Sequence, residues 1–376
     1  MSALHFIMAI TTTAILGGGP PDHDRVQAAL DSAVTAAHAP GIAVEIQKDG
    51  RTWFSSAGVS DMDTGRPREP DERFRIGSTT KAFTAAVVLQ LAGEHRLSLD
   101  DPIEKWLPGL VDGNGYDGSR ITIRELLNHT SGIFAYTSDQ DFFDQGVGTA
   151  WFAHRYDHYN PEQLVRIALS HPPYGPPGQQ FVYSNTDSVL AAMIVEKVTG
   201  HTFTAELDRR IIRPLRLTGT YLPADDPTIR GPHPVLYSTL FSRDPDPAIY
   251  DATDMNQSFA WTAGGMISTL GDLDRFFGAL LGGRLLRPAE QRELFTTVST
   301  DNSGWIPDTR YGLGIFAQKL TCGVTVWGHG GATYGSWSYV MGDRTGRHLL
   351  AVSVNGDWIG LPVFNAVLDA EFCPAA

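Results

Sequence analysis

Strand-forming patterns lie at both ends of the chain, and mostly helical patterns lie between them. Near the start, GIAVEIQKDGRTWFSSAGV fits two strands joined at Asp49-Gly50, a pair typical of a tight hairpin turn. Near the end, strand-like runs within residues 324–355 precede a helical run at Leu361–Phe372. These patterns predict an α/β (α+β) fold, in which an antiparallel sheet flanked by helices is built from both termini and carries an inserted, mostly helical domain.

The expected domain boundaries follow from the same patterns. Residues 22–79 and 311–376 are assigned to the sheet domain, and residues 80–310 to the helical domain. The segment TTKAFTAAVVLQLAG is apolar on nearly all sides, which predicts a buried helix. Thr122 and Glu125 have the spacing of a capping box. Further helices are predicted over residues 26–37, 162–170, 185–199 and 270–281.

The composition disfavours several classes of partner. The chain has 376 residues and a formal net charge of −13, and an acidic protein repels the phosphates of nucleic acids and anionic membranes. No apolar run reaches the roughly 18 residues of a membrane span. We therefore expect no nucleic-acid partner and no stable membrane span, and nothing in the sequence indicates more than a monomer.

Two features concern localisation. The apolar run at residues 3–16 has the length of a signal-peptide core, although no Lys or Arg precedes it. Residues 1–21 are therefore interpreted as a signal-peptide remnant or a flexible tail. Cys322 precedes a strand-like run and Cys373 closes the last helical run, so a disulfide between them would tie that helix to the sheet. We favour this bridge, which implies a secreted or extracytoplasmic protein. A cytoplasmic location stays open if the N-terminal run is not a signal.

The stretch FRIGSTTKAFTAAVVLQLAG places Ser78 and Lys81 three residues apart at the start of the buried helix. At this spacing the two side chains can share one face, and a helix N-terminus favours negative charge developing on the serine. An ammonium in an apolar site loses hydration, so its pKa falls and the neutral amine can accept a proton. Alone, the pair is equally typical of a serine-capped helix with an outward-reaching lysine.

Two later motifs add candidates. In YSN (residues 183–185), Tyr183 can relay protons and Asn185 can hold a substrate carbonyl. In HGG (residues 329–331), the glycines allow close approach of backbone to ligand, and His329 can donate to Tyr183 or to substrate. Taken singly, each motif also fits a structural element, a capped helix start or a glycine-rich turn beside a buried histidine.

In this order and context, S-x-x-K, Y-S-N and H-G-G match the three-motif pattern of penicillin-binding proteins and serine β-lactamases. The segments ELLNHTSGI, TAGGMISTLGDLDRF and YGLGI also resemble that family. Over about residues 24–373, the chain most closely resembles the soluble actinomycete D-alanyl-D-alanine carboxypeptidase/transpeptidase.

The resemblance implies a role for each motif residue. Ser78 would be acylated, with Lys81 as its base partner, and Tyr183 would pass the proton to the leaving amine. Asn185 would bind the substrate amide, and His329 would complete the hydrogen-bond network of Tyr183. The backbone amides of Ser78 and of Ala332 would form the oxyanion hole.

One departure from the family pattern concerns specificity. The carboxypeptidase has His-Thr-Gly-Thr as its third motif and an arginine on the preceding strand, which together bind the terminal carboxylate of D-Ala. Here the hydroxyl positions are Gly330 and Ala332, and the arginine position aligns best with Phe316. A carboxylate would lose charge-assisted hydrogen bonds worth roughly 1.5–3 kcal/mol each. The predicted substrate-binding residues are Asn185, Gly330, Gly331, Ala332, Phe259, Trp261 and Phe316; Trp337 is a further candidate for an apolar lining, and Arg310, Lys319 and Thr333 are candidate replacements for the missing polar groups.

The sequence therefore predicts a serine hydrolase or acyltransferase that works through a Ser78 acyl-enzyme, with no metal and no cofactor. The first expectation is a D-alanyl-D-alanine carboxypeptidase-like peptidase or β-lactamase-family hydrolase. The alternative, favoured by the altered third motif, is an esterase, amidase or biosynthetic transacylase or peptide cyclase. A non-catalytic β-lactam sensor is disfavoured because it needs neither Tyr183 nor His329. The expected acyl donor is a small peptide, ester or β-lactam, and the acceptor is water or an amine.

Overall fold

The computed structural model describes residues 23–374, so the predicted signal-peptide remnant or tail at residues 1–21 lies outside the described residues. The strands in this range are β1 (Gly41–Lys48), β2 (Arg51–Asp61), β3 (Arg66–Pro67), β4 (Phe74–Arg75), β5 (Asp112–Gly113), β6 (Tyr116–Asp117), β7 (Tyr237–Ser238), β8 (Tyr250–Asp251), β9 (Ile267–Ser268), β10 (Val298–Ser299), β11 (Thr309–Tyr311), β12 (Phe316–Lys319), β13 (Thr325–Thr333), β14 (Ser336–Gly342) and β15 (His348–Val354).

The helices occupy the middle of the chain and both of its ends. They are α1 (Asp24–Thr35), α2 (Thr80–Gly93), α3 (Ile123–Leu127), α4 (Gln140–Gln145), α5 (Trp151–His154), α6 (Pro161–Leu169), α7 (Asn185–Thr199), α8 (Phe203–Leu207), α9 (Arg213–Leu215), α10 (Trp261–Gly264), α11 (Leu270–Leu281), α12 (Pro288–Leu294) and α13 (Leu361–Phe372), with a π-helical segment at Asp208–Ile212 and short 3-10 turns at Gly77–Thr79, Ile103–Lys105, Tyr136–Ser138 and Gly148–Ala150.

Nine strands form one antiparallel sheet, in the order β10-β11-β12-β13-β14-β15-β1-β2-β3. The N-terminal hairpin joins the C-terminal strands where β1 pairs with β15, with Val44 opposite Val352. Asp49 and Gly50 both have left-handed backbone, with φ of 50° and 79°, as a type I′ turn requires. The prediction of a sheet built from both termini is confirmed.

Helices cover both faces of this sheet. Successive apolar side chains of β1 point to opposite faces, so each face needs a covering layer. Ile42 and Val44 join the apolar cluster of α1 and α13, whereas Ala43 belongs to the cluster that contains α11. The disulfide between Cys322 and Cys373 is present, with 5.8 Å between the Cα atoms, and it links the end of α13 to the turn before β13. This predicted bridge is confirmed.

Helix α2, in which Lys81 and nearly every other side chain are buried, is contacted by α7, α8, α10 and α12. The predicted capping box of Thr122 and Glu125 is present at the start of α3. Although they belong to the segment assigned to the helical domain, α11 and β10 pack on the sheet; the division into two domains stays a prediction. No helix between residues 23 and 374 has the length and hydropathy needed to cross a bilayer.

Candidate active site

Ser78 lies on the 3-10 turn that leads into α2, against the end of β13. Two glycines make this contact possible: a Cβ at Gly77, whose φ is 50°, would lie 2.6 Å from the Ala332 nitrogen, and a Cβ at Gly331 would lie 2.5 Å from the Ser78 nitrogen. The two backbones therefore touch without side chains between them. This brings the amides predicted to form an oxyanion hole, those of Ser78 and Ala332, to one place.

Lys81 is held by three oxygen atoms at hydrogen-bond distance. Its Nζ lies 3.0 Å from Ser78 Oγ, 2.7 Å from Asn185 Oδ1 and 2.6 Å from the Ala263 carbonyl oxygen. The side chain is 2% exposed, and burial holds the pKa of Lys81 well below the ordinary lysine value. A neutral amine that donates to Asn185 and Ala263 keeps its lone pair for the proton of Ser78.

Tyr183 packs its ring beside this pair. Lys81 Nζ lies 4.7 Å from the ring centroid, and His129 and Trp305 flank the ring at 4.4 and 4.3 Å between centroids. The hydroxyl is buried and makes no well-formed hydrogen bond, although it is near enough to Ser78 to interact with its hydroxyl. Because burial raises the pKa of Tyr183 above its ordinary value, the group stays a neutral phenol that can pass on a proton.

Asn185 is placed by the first turn of α7. Its Oδ1 accepts from Lys81, and its Nδ2 donates to Thr137 Oγ1 at 3.0 Å. The amide is thereby fixed in one orientation near Ser78 and Lys81. Thr137 was missed in the sequence because it belongs to none of the three motifs.

A second buried cluster, also missed, lies behind the motif residues. Asp187 is fully buried and bonds His129 Nδ1 at 2.8 Å and the Ser131 hydroxyl at 2.6 Å. Its charge opposes the lowering of the Lys81 pKa, and burial raises the pKa of Asp187 itself. The segment ELLNHTSGI, which supplies His129 and Ser131, was the available signal, but its residues had been assigned no role.

His329 does not contact Tyr183 in the way predicted. The ring is fully buried, with Nδ1 2.5 Å from the Gly330 carbonyl oxygen and Nε2 2.9 Å from the Tyr311 hydroxyl. Both nitrogens are therefore occupied, and burial lowers the pKa of His329 to about 3, so the ring is neutral. The predicted donation to Tyr183 or to substrate is wrong. His329 holds β13 to β11 instead.

A cavity of about 270 Å³ opens from Ser78. Ala332 and the predicted Phe259 line it, together with Thr333, one of the candidate replacements. Other lining residues were missed because they come from short helices and loops that carry no motif. They include Tyr136, Phe142, Phe143, Gln145, Trp151, Arg155, Asp157, Phe241, Asn256 and Tyr334.

Several predicted specificity residues lie outside this cavity. Phe316 is fully buried and packs on His329, with 5.5 Å between ring centroids, and Trp261 packs in the core near Phe203. Their predicted positions in the lining are wrong, because the side chains face the core. The other residues have equally clear positions: Trp337 stacks on Phe364, Arg310 bonds Thr297, Lys319 is exposed at the end of β12, and Gly330 and Gly331 face Tyr339 and the Ser78 turn.

The missing hydroxyl at position 330 has a steric reason. A Cβ at Gly330 would lie 2.4 Å from the Tyr339 ring, so a threonine fits there only if that buried ring moves. The space that a threonine side chain would need is filled by the Tyr339 ring, which packs β14 against β13.

A family model described as Beta-lactamase matches residues 26–360, most of the chain. The chain belongs to the beta-lactamase family. This confirms the predicted relationship to serine β-lactamases and penicillin-binding proteins, and with it the serine-hydrolase interpretation at the level of the family.

Solved structures with this beta-lactamase fold include two amide-cleaving enzymes. A D-stereospecific amidohydrolase from Streptomyces sp. is 44% identical, with a TM-score of 0.88 over 95% of this chain and 100% of that one. A D-amino acid amidase from Ochrobactrum anthropi SV3 is 25% identical, with a TM-score of 0.77 over 92% and 97%. Protein flp of Staphylococcus aureus (strain COL) is 29% identical over 184 residues, which are 49% of this chain but only 35% of that relative.

Proposed function

We propose that the protein is a serine amidohydrolase that cleaves amides of D-configured acyl groups through an acyl-enzyme on Ser78. The observation that carries the proposal is the Ser78–Lys81–Asn185 arrangement, in which a buried lysine with a lowered pKa lies 3.0 Å from the serine hydroxyl. Similarity over nearly the whole chain to a D-stereospecific amidohydrolase supports the substrate class.

Each of the motif residues has its own role in acylation and hydrolysis. Neutral Lys81 takes the proton of Ser78 while Oγ attacks the amide carbon, and the amides of Ser78 and Ala332 stabilise the oxyanion. The C–N bond then breaks, and the Tyr183 hydroxyl gives its proton to the leaving amine. Tyr183 is then reprotonated by Lys81. Water then attacks the acyl carbon and gives up a proton to Tyr183 and Lys81. The C–Oγ bond breaks as Lys81 returns a proton to Ser78 Oγ, which releases the acid and free Ser78.

The surroundings of the leaving group favour an amide over a peptide with a free C-terminal carboxylate. Gly330 and Phe316 supply no polar group there, and Arg310 and Lys319 lie elsewhere. A carboxylate would be desolvated without a matching donor, which costs the energy of the missing charge-assisted bonds. A D-alanyl-D-alanine carboxypeptidase is therefore the less favoured activity.

The test uses D-phenylalanine amide, because the cavity is lined by aromatic rings. We expect ammonia release, at least about tenfold faster than from L-phenylalanine amide, and none above background from Ser78→Ala. Ser119→Ala, at an exposed turn, is the matched control. Intact-mass spectra with an activated D-phenylalanine ester should show one adduct, on Ser78. No adduct on the wild-type protein would overturn the proposal.

A second comparison tests the leaving group. An acyl-D-Ala-D-Ala peptide and its C-terminal amide should be cleaved at rates within a few-fold of each other, because neither Arg310 nor Lys319 lines the cavity and the family's arginine position holds Phe316. A hundredfold preference for the free acid would instead support the carboxypeptidase.

A further inference from the structure

Exposed hydrophobic side chains are concentrated beside the cavity. Six large ones are prominent among residues 23–374, and four of them come from the two segments that form one cavity wall. Large exposed apolar groups that cluster mark binding surfaces more often than scattered ones do. We call the four the apolar rim: Phe152, Tyr156, Phe241 and Ile249, exposed to 42%, 51%, 40% and 48%.

The apolar rim is continuous with the cavity that holds Ser78. Phe241 lines the cavity and packs on Tyr334, with 4.9 Å between ring centroids. Phe152 contacts Trp151, a buried lining residue, at 5.2 Å, and the Arg155 guanidinium covers the ring of Tyr156 at 4.6 Å. A ligand that fills the cavity and extends outward therefore meets the apolar rim next.

Tyr250 links the remaining member of the apolar rim to this wall. Phe152 also packs on the Tyr250 ring, at 5.2 Å, and Tyr250 rests on the small buried cluster around Trp151. Ile249 precedes Tyr250 in the chain. The apolar rim is thus backed by ordered packing.

An open strand edge leads from Ser78 to the apolar rim. β12 reaches only as far as Gly328 along β13, so the later residues of β13 have no partner on that side. The turn after Thr333 closes on Ser336, which directs the peptide groups of Thr333 to β14 and those of Ala332 to the open side. Ala332 is exposed there, and its C=O is available to accept a peptide N–H.

The position of Tyr183 decides which part of the substrate follows this edge. The Tyr183 ring packs on Trp305 and Tyr311, near the His329 end of β13. Phe241 of the apolar rim packs on Tyr334, past the other end of β13. Since the leaving amine departs toward its proton donor, the acyl part extends along Ala332 and Thr333 to the apolar rim.

We propose that the apolar rim binds the residue that precedes the D-residue of a peptide acyl donor, and that it selects an apolar side chain at that position. This inference rests on the proposed function and names its substrate class. A single amino-acid amide would fill the cavity and leave the apolar rim uncovered. A dipeptide amide would cover it and add a strand-like hydrogen bond to Ala332.

The experiment compares D-phenylalanine amide with leucyl- and seryl-D-phenylalanine amide, by ammonia release. We expect kcat/KM about tenfold higher for the leucyl than for the seryl compound, because only leucine buries apolar surface on the apolar rim. Phe152→Ser and Ile249→Ser, neither of which lines the cavity, should each reduce this ratio at least about threefold. Turnover of D-phenylalanine amide should stay unchanged. Val324→Ser, an exposed hydrophobic position before the remote start of β13, is the control and should keep the ratio.

Equal kcat/KM for the leucyl and seryl compounds would overturn the peptide proposal, as would a preference that survives in the double variant Phe152→Ser/Ile249→Ser. A variant that cleaves none of the three amides would be misfolded. The other single variant would then test the proposal. Failure of the wild-type protein to cleave any of the three amides would instead overturn the proposed function, so the two failures are distinguishable.

Discussion

The two sides of the active site are built in opposite ways. On the proton-transfer side, Lys81 and His129 are buried and Asn185 is half-buried, and Lys81 Nζ, Asn185 Oδ1 and His129 Nδ1 each have a partner at a defined distance. On the cavity side, aromatic rings from short helices and loops form most of the wall. The difference teaches that the chemistry depends on exact atomic placement, whereas the substrate is selected by shape and apolar area. Four substitutions test this division.

The largest effect is expected from Lys81→Met, which keeps the length and apolar stem of the side chain but removes the base. Loss of a positioned general base costs about 10²–10⁴-fold in rate, and we expect the upper end, measured as kcat for D-phenylalanine amide. Lys105→Met, at an exposed lysine paired with Asp101, is the control. Retention of a tenth of the wild-type kcat would show that another group takes the proton.

Tyr183→Phe should have the next largest effect. Removing the hydroxyl that protonates the leaving amine should lower kcat about 10²-fold. The matched control is Tyr311→Phe, one ring away, which removes only the hydrogen bond to His329. That variant should lose about 1 kcal/mol of unfolding free energy in urea but keep kcat within a few-fold. Equal losses of kcat in both variants would mean that Tyr311 and His329 also take part in catalysis.

Phe259→Ala tests the cavity side. The substitution removes apolar contact area in the lining, so we expect KM to rise about tenfold with kcat nearly unchanged. Phe295→Ala serves as the control, because Phe295 packs on Trp327 outside the cavity. A loss confined to kcat would mean that the lining also positions the reacting atoms.

Asp187→Asn is expected to have the smallest effect, on the pH profile. The Asp187 charge favours the protonated form of Lys81 and so raises its pKa, in opposition to burial, which lowers it. Catalysis needs neutral Lys81, and activity is therefore lost as pH falls through its pKa. Without Asp187 this pKa falls further, so the acid limb of kcat/KM should move to lower pH by up to about one unit.

The control for that shift is Asp274→Asn. Asp274 is also fully buried, and burial likewise raises its pKa, but its charged neighbour is Glu45 on the far side of α11. The acid limb of that variant should coincide with the wild-type limb. A shift toward higher pH in Asp187→Asn would contradict the assigned sign of the interaction.

Local patterns predicted much of the fold. The helix expected over residues 185–199 is α7, the hairpin at Asp49-Gly50 is present, and both cysteines meet. The helix and the hairpin depend on residues only a few positions apart. The disulfide follows from the pairing of the two terminal segments in one sheet. The position of α11 on that sheet was not predicted, because its apolar face indicates burial without indicating the partner.

By itself, the sequence determined that Ser78 and Lys81 are neighbours, because they lie three residues apart at a helix start. It also predicted a close backbone approach at the HGG glycines, and the structure places Gly331 against the Ser78 turn. Only the tertiary structure decided that His329 turns inward to Tyr311, that Phe316 and Trp261 face the core, and that distant loops wall the cavity. The physical reason is that spacing along a helix fixes which side chains are neighbours, whereas the surroundings of a strand or loop residue depend on other segments, whose position the local sequence does not specify.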